Sequence, residues 1–219
     1  MELQLDYKGK DHVKIKEIVV KSQDVIGLYF KDTLNSLTVC VHKNRKEFDK
    51  KLNQKTKLWH IASASNERID IMHFDTFEKE TSHKKEDFLP TLKHEIAHLF
   101  IDKVAKHKAV PKWLDEGLAS YVSEQYKNIK HSIHIEECFC EKLGTPKGWN
   151  DYSDYCAYDT ASLFVNFLAE KYTLDKIINL LLKLDKNYYY PNFEIIFKNN
   201  FGETLKNLEK EFVDEVNKI

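Results

Sequence analysis

Arginine is nearly absent from this 219-residue chain: only Arg45 and Arg68 occur, and every other basic residue among the 34 Lys and Arg is a lysine. Guanidinium forks are what read phosphates and guanine edges bidentately, so a nucleic-acid partner is excluded as the working reading. An excess of charge of either sign is lacking too. The 34 basic residues face 35 acidic ones, a formal net charge of -1 at pH 7, which leaves no overall attraction for a polyanion. Long apolar runs are also missing. No segment is long enough to span a bilayer, and the N-terminal MELQLDYKGKDHVKIK lacks the continuous apolar centre of a signal peptide. The chain therefore reads as cytoplasmic with no membrane partner, although a secreted form whose signal had been removed would read the same. Cysteine is scarce, with Cys40, Cys138, Cys140 and Cys156 too few and too unevenly placed for a disulfide framework. Reduced thiols are the default. A hydrophobic content of 42% over this length suits a globular chain that folds without staples.

What is present divides into two textures. The first covers residues 1–85 and reads as a small α/β lobe. DHVKIKEIVVKSQDVIGLYFK (11–31) predicts a helix whose buried face carries Val13, Ile18, Val19, Val25 or Ile26, and Phe30. SLTVCVH (36–42) has the β-branched alternation of a strand, and RKEFDKKLN reads as a short helix. LWHIASAS (58–65) and RIDIMHF (68–74) predict two strands joined by a tight turn at Asn66 and Glu67. From residue 86 to 219 the pattern is helical. Pro90 fits the first turn of a helix carrying LKHEIAHLFIDKVAK, and Pro111 opens the next, KWLDEGLASYVSEQY. GTPKGWNDYSDY (144–155) reads as a loop, and helices are predicted around YDTASLFVNFLAEKY, LDKIINLLLKL and ETLKNLEKEFVDEV. The fold class is α+β, a short mixed sheet followed by a mainly helical lobe, together one compact domain.

The chemistry concentrates in HEIAH, residues 94 to 98. Two histidines four apart stack on one helical face and can reach one metal ion, and Glu95 lies one step round, placed to hold a water rather than the metal. In this H-E-x-x-H arrangement zinc acidifies a water and the glutamate takes its proton. The alternative is an amphipathic helix that happens to carry two histidines. Leu92, Ile96, Leu99, Phe100 and Val104 form an apolar stripe that sets the pair at the edge of a core. A catalytic zinc keeps three protein ligands and an open position, so a third donor must return to the same spot.

HEIAH followed by WLDEGLASYV resembles the gluzincin metallopeptidases, most closely the peptidase domain shared by thermolysin-like catalytic lobes and M1-type aminopeptidases. That resemblance is strongest over residues 94–121, spans roughly 58–185, and implies a zincin-like fold with the zinc site on the active-site helix. It implies Glu116 as the third ligand, reached after 17 intervening residues from His98, one fewer than M1 enzymes usually show. Asp115 stands where that family tends to have asparagine; it either orients a ligating histidine or is a solvated helix residue. Gly117, costly inside a helix, fits a close approach of this helix to the one bearing the histidines. YDTASLFVNFLAEKY resembles the helix whose opening tyrosine supports the oxyanion, which implies Tyr158 in that role, with Tyr155 as the rival and Tyr152 nearby. The M1 G-x-M-E-N strand has no counterpart in HIASASNERIDIM, so Glu67 inherits no exopeptidase role. One of these strands is expected to pair with an extended substrate.

Other clusters read as structural. His131, His134, Cys138 and Cys140 lack the second C-x-x-C pair of a zinc ribbon, Cys156 reads as a buried small hydrophobe, and His60 and His73 as ordinary strand histidines. The expectation is thus a metallopeptidase with one catalytic zinc, held by His94, His98 and Glu116, with Glu95 as general base, Tyr158 as oxyanion donor, and a peptide or protein as substrate. The rival is a zincin-fold binding or regulatory protein that does not cut. Oligomeric state is not legible in the sequence.

Overall fold

The computed structural model describes residues 2–129, 138–152 and 156–217. They form an α+β chain that separates into two compact units, Met1–Phe100 and Ile101–Ile219. Tyr155, His131 and His134 lie outside the described residues. Among the described residues no helix is long and apolar enough to cross a membrane.

The first unit is built on a four-stranded sheet. Its elements run β1 (Glu2–Asp6), α1 (His12–Phe30), β2 (Ser36–His42), α2 (Arg45–Leu52), β3 (Ala62–Ser65), β4 (Arg68–Met72) and the single turn α3 (Phe77–Glu80), before α4 (Phe88–Ala105) begins. The sheet order is β1-β2-β4-β3, parallel across β1/β2 and β2/β4 and antiparallel across β3/β4. Val39 on β2 sits opposite Leu5 and Ile69, and Leu37, Val39, Ile69, Ile71 and Met72 are fully or almost fully buried. β1 is an element that the charge alternation of the N-terminus did not announce.

α1 buries Ile15, Val19, Ile26 and Phe30, at spacings of a 3.6-residue period, while Val13 is 68% and Val25 39% exposed. The predicted face is corrected accordingly: a residue two positions from Ile15 points to the opposite side of a helix. Its C-terminus closes at Lys31 in the left-handed region, φ 53°, with the cap N–H donating to the carbonyl of Gly27.

The two predicted strands are shorter than 58–65 and 68–74 imply, for identifiable reasons. The Arg45 guanidinium donates to the carbonyls of Lys57 (3.0 Å), Leu58 (3.1 Å) and His60 (2.6 Å), removing those acceptors from any sheet ladder. After Met72, the Nδ1 of His73 accepts the amide of Asp75 and starts a 3₁₀ turn. His60 and His73 therefore stand outside the strands. The hairpin between β3 and β4 turns through Asn66 and Glu67, both at positive φ (48° and 58°), as a two-residue hairpin loop requires. Ser36 donates its hydroxyl to the Glu67 carboxylate, and the Glu67 carbonyl accepts the Thr38 amide, holding that non-glycine residue in place.

The second unit is helical: α5 (Lys112–Val122), α6 (Phe139–Lys142), α7 (Pro146–Tyr152), α8 (Ala157–Lys171), α9 (Leu174–Lys183), α10 (Tyr190–Phe201) and α11 (Leu205–Val216). Its core is aromatic. Phe164 lies 5.3 Å from Trp113, 5.1 Å from Phe139 and 5.2 Å from Phe212 between ring centroids, in tilted and edge-to-face arrangements. The expected loop over 144–155 instead contains α7. Thr145 Oγ1 accepts the Gly148 amide at 3.0 Å, Pro146 takes the first helical position, and Trp149 is buried; a threonine followed by proline is a helix start that glycine content obscured. α10, which was not foreseen, starts at Tyr190-Pro191 and stops at Gly202 with φ 81°.

Candidate metal centre

α4 carries the histidine pair. Pro90 lies in its first turn, where a missing N–H is harmless, and Leu92, Ile96, Leu99 and Phe100 are buried. Val104 is half-exposed, so the stripe ends one turn earlier than the sequence implied. His94 is buried and His98 half-buried. Their rings meet edge-on, 4.7 Å between centroids, with the two Nε2 atoms 3.0 Å apart. Zn–N bonds of about 2.0–2.1 Å in a tetrahedral site put two ligand nitrogens about 3.3 Å from each other, so the pair is close to the spacing a zinc ion requires. Glu95, next to His94, is buried, 9% exposed.

α5 carries the carboxylates. Its first two backbone N–H groups are taken by the carbonyls of Gly144 (3.0 Å, from Lys112) and Leu143 (3.1 Å, from Trp113), which seats the start of the helix on the end of α6. Trp113, Leu114 and Leu118 are buried and Tyr121 is half-buried. Glu116 is 6% exposed, and its Oε1 lies 2.6 Å from the Lys112 ammonium, which also donates to Asp115 Oδ2 at 3.2 Å. Burial opposes the Lys112 charge, and the Glu116 and Asp115 carboxylates outweigh it, holding the ammonium protonated well above the usual lysine range.

His94, His98 and Glu116 each offer one ligand atom, all within 4.8 Å of one another. Two neutral imidazoles and one carboxylate are a donor set suited to zinc, and among the described residues no fourth His, Cys, Asp or Glu joins them. Tyr158 stands in the first turn of α8, half-buried, its ring edge-on to Trp149 at 4.8 Å, and its backbone carbonyl accepts the Ser162 hydroxyl. Tyr152 is 41% exposed at the end of α7.

Gly117 answers to a different neighbour from the one expected. A Cβ there would lie 2.4 Å from the Ala161 carbonyl oxygen and 2.7 Å from Val165 Cγ2, so the glycine lets α5 pack against α8. Cys156, expected to be buried, is exposed at the N-terminal boundary of α8 with φ 60°. Cys140 is buried, its amide held by the Glu209 carboxylate at 2.7 Å, whereas Cys138 is exposed.

Sequence reading missed a second cluster, Asp11, His73 and Asp75, whose ligand atoms also lie within 4.8 Å. Its histidine is 6% exposed and stacks on Tyr7. Because Nδ1 accepts the Asp75 amide, a neutral His73 carries its proton on Nε2, 3.8 Å from Asp11 Oδ2. A metal on Nε2 would require the proton on Nδ1, facing that amide N–H, so this arrangement suits a structural histidine better than a ligand.

No protein-family model matches the chain, and no curated protein matches it. Among solved structures, the chain is similar to an M1 zinc metallopeptidase from Deinococcus radiodurans, solved as a glutamate-to-alanine mutant, with 12% identity and a TM-score of 0.56 over 91% of this chain and 44% of that one. The chain thus spans less than half of that enzyme's length. At this identity the likeness is one of fold alone: an α+β arrangement with a small mixed sheet.

Proposed function

We propose that the protein is a gluzincin-type zinc metallopeptidase in which His94, His98 and Glu116 hold one catalytic zinc. The observation that carries this reading is the convergence of those three side chains, two of them buried, within 4.8 Å. Such an ion, when bound, supplies an acidified water and a Lewis acid for the substrate carbonyl. Glu95 follows His94 on the same helix; it takes the water's proton and passes it to the leaving amine. Tyr158, assigned by the resemblance of YDTASLFVNFLAEKY to the M1 helix, donates to the tetrahedral oxyanion. The substrate is a peptide or protein, and exopeptidase action is not part of the proposal because the amine-binding strand motif is absent.

The test combines metal content with cleavage. Protein purified without added metal is expected to contain one zinc per chain by elemental analysis and to cut a peptide library read by mass spectrometry. Glu95→Gln is expected to keep the zinc and lose turnover by about 10²–10⁴-fold, the range typical of a general base. A wild-type protein that neither contains nor takes up zinc refutes the proposal. Full zinc occupancy without any cleavage assigns the chain to the non-hydrolytic binding class instead.

A further inference from the structure

Lys112 stands at an unfavourable place for a cation. It is the first helical residue of α5, at the positive end of the helix dipole, and a lysine there raises the local electrostatic energy. The pair it forms with Glu116 runs lysine first and glutamate four residues later, the less favourable order on a helix. Helix stability therefore does not explain the residue. Its contacts do: one ammonium reaches Glu116 Oε1 at 2.6 Å and Asp115 Oδ2 at 3.2 Å, and its backbone is pinned by the hydrogen bond from its own amide to Gly144.

We propose that Lys112 is a positioning residue for the metal-ligating carboxylate, an inference that rests on the zinc reading above. A carboxylate on a rotatable stem can meet a metal with one oxygen or chelate it with both. An ammonium seated on Oε1 restrains the group's rotation and withholds part of that oxygen's electron density, which favours ligation through a single oxygen. Glu116 is buried, so water competes poorly for the same role. Asp115 serves as the second anchor of the ammonium, which keeps the lysine from swinging into solvent through its partly exposed side, 31% accessible.

The experiment measures metal binding directly, in the full-length chain. Zinc affinity is read by chelator competition, and the coordination of cobalt(II), a visible-light substitute for zinc, is read from its d–d absorption. Lys112→Met is expected to raise the zinc dissociation constant by about 10- to 100-fold, the range for residues that orient metal ligands. Its cobalt band is expected to weaken, because a chelating carboxylate raises the coordination number. Lys112→Arg, which restores a cationic donor, is expected to recover the four-coordinate band. If Lys112→Met does not fold, Lys112→Gln, which keeps a hydrogen-bond donor without charge, carries the same expectations. A folded neutral variant with wild-type affinity and an unchanged cobalt spectrum overturns the inference while leaving the zinc site intact. A wild-type protein that binds neither ion overturns the metal reading itself.

Discussion

Replacing Gly117 with alanine sets two effects of opposite sign against each other. Alanine in place of a helical glycine is favourable by about 1 kcal/mol, through lower backbone entropy in the unfolded chain and better helix propensity. The new methyl group would meet the Ala161 carbonyl oxygen at 2.4 Å and Val165 Cγ2 at 2.7 Å. Both are closer than van der Waals contact allows. Val165 could rotate its side chain, but the Ala161 oxygen belongs to the backbone of α8, so the helices must part. Overpacking of this kind costs about 1–3 kcal/mol, and a backbone obstacle places this site at the upper end. The net expectation is a loss of about 1–2 kcal/mol, a fall in Tm of roughly 2–8 °C for a chain of this size. Differential scanning calorimetry and urea titration measure it. Because Glu116 precedes Gly117, the same separation displaces the carboxylate, and zinc affinity is expected to fall in parallel. A Gly117→Ala protein as stable as wild type, or more stable, would refute the claim that this glycine exists for the α5–α8 contact.

Asp70 provides a pH test. Burial works against its ionisation, and the hydrogen bonds from Arg68 (2.7 and 2.8 Å) and His42 (2.7 Å), with their charges, outweigh that, holding the carboxyl well below the usual carboxylate range. A folded pKa below the unfolded one gives stability that is fully present above pH 4 or so and is lost as the pH falls from there through the folded value. Asp70→Asn is therefore expected to be less stable than wild type at pH 7, by about 1–3 kcal/mol, and the difference should shrink below pH 4 in urea melts. A difference independent of pH would contradict this. Thiol labelling tests the burial pattern. Native protein should react rapidly with an aromatic disulfide reagent at Cys138 and Cys156, which are exposed, and at Cys40 and Cys140 only after unfolding, because burial both shields those thiols and raises their pKa. Four rapid equivalents in the native protein would refute it.

Much of the candidate centre was legible because its information is local. His94 and His98 are four residues apart on a strongly apolar pattern, and helical geometry alone puts them on one face. β2 was legible for the same reason, from the β-branched alternation of residues 36–42. Glu116 required more. Spacing permits a third donor anywhere the chain can return, and only the resemblance carried by WLDEGLASY singled it out. Where the reading went wrong, a distant group intervened. Residues 58–61 have the composition of a strand, but one guanidinium, from Arg45, takes three carbonyls around them. Gly117 was assigned the wrong neighbour because glycine signals closeness without naming the approaching chain.

By itself, the sequence determined the periodicities and the histidine pair, since each depends on side-chain type and on offsets within a turn or two. The tertiary structure decided which faces are buried, where strands stop, and which helix packs against Gly117. Those outcomes depend on which distant donor reaches which acceptor first, and hydrogen-bonding groups along a chain are too alike for local sequence to choose among them.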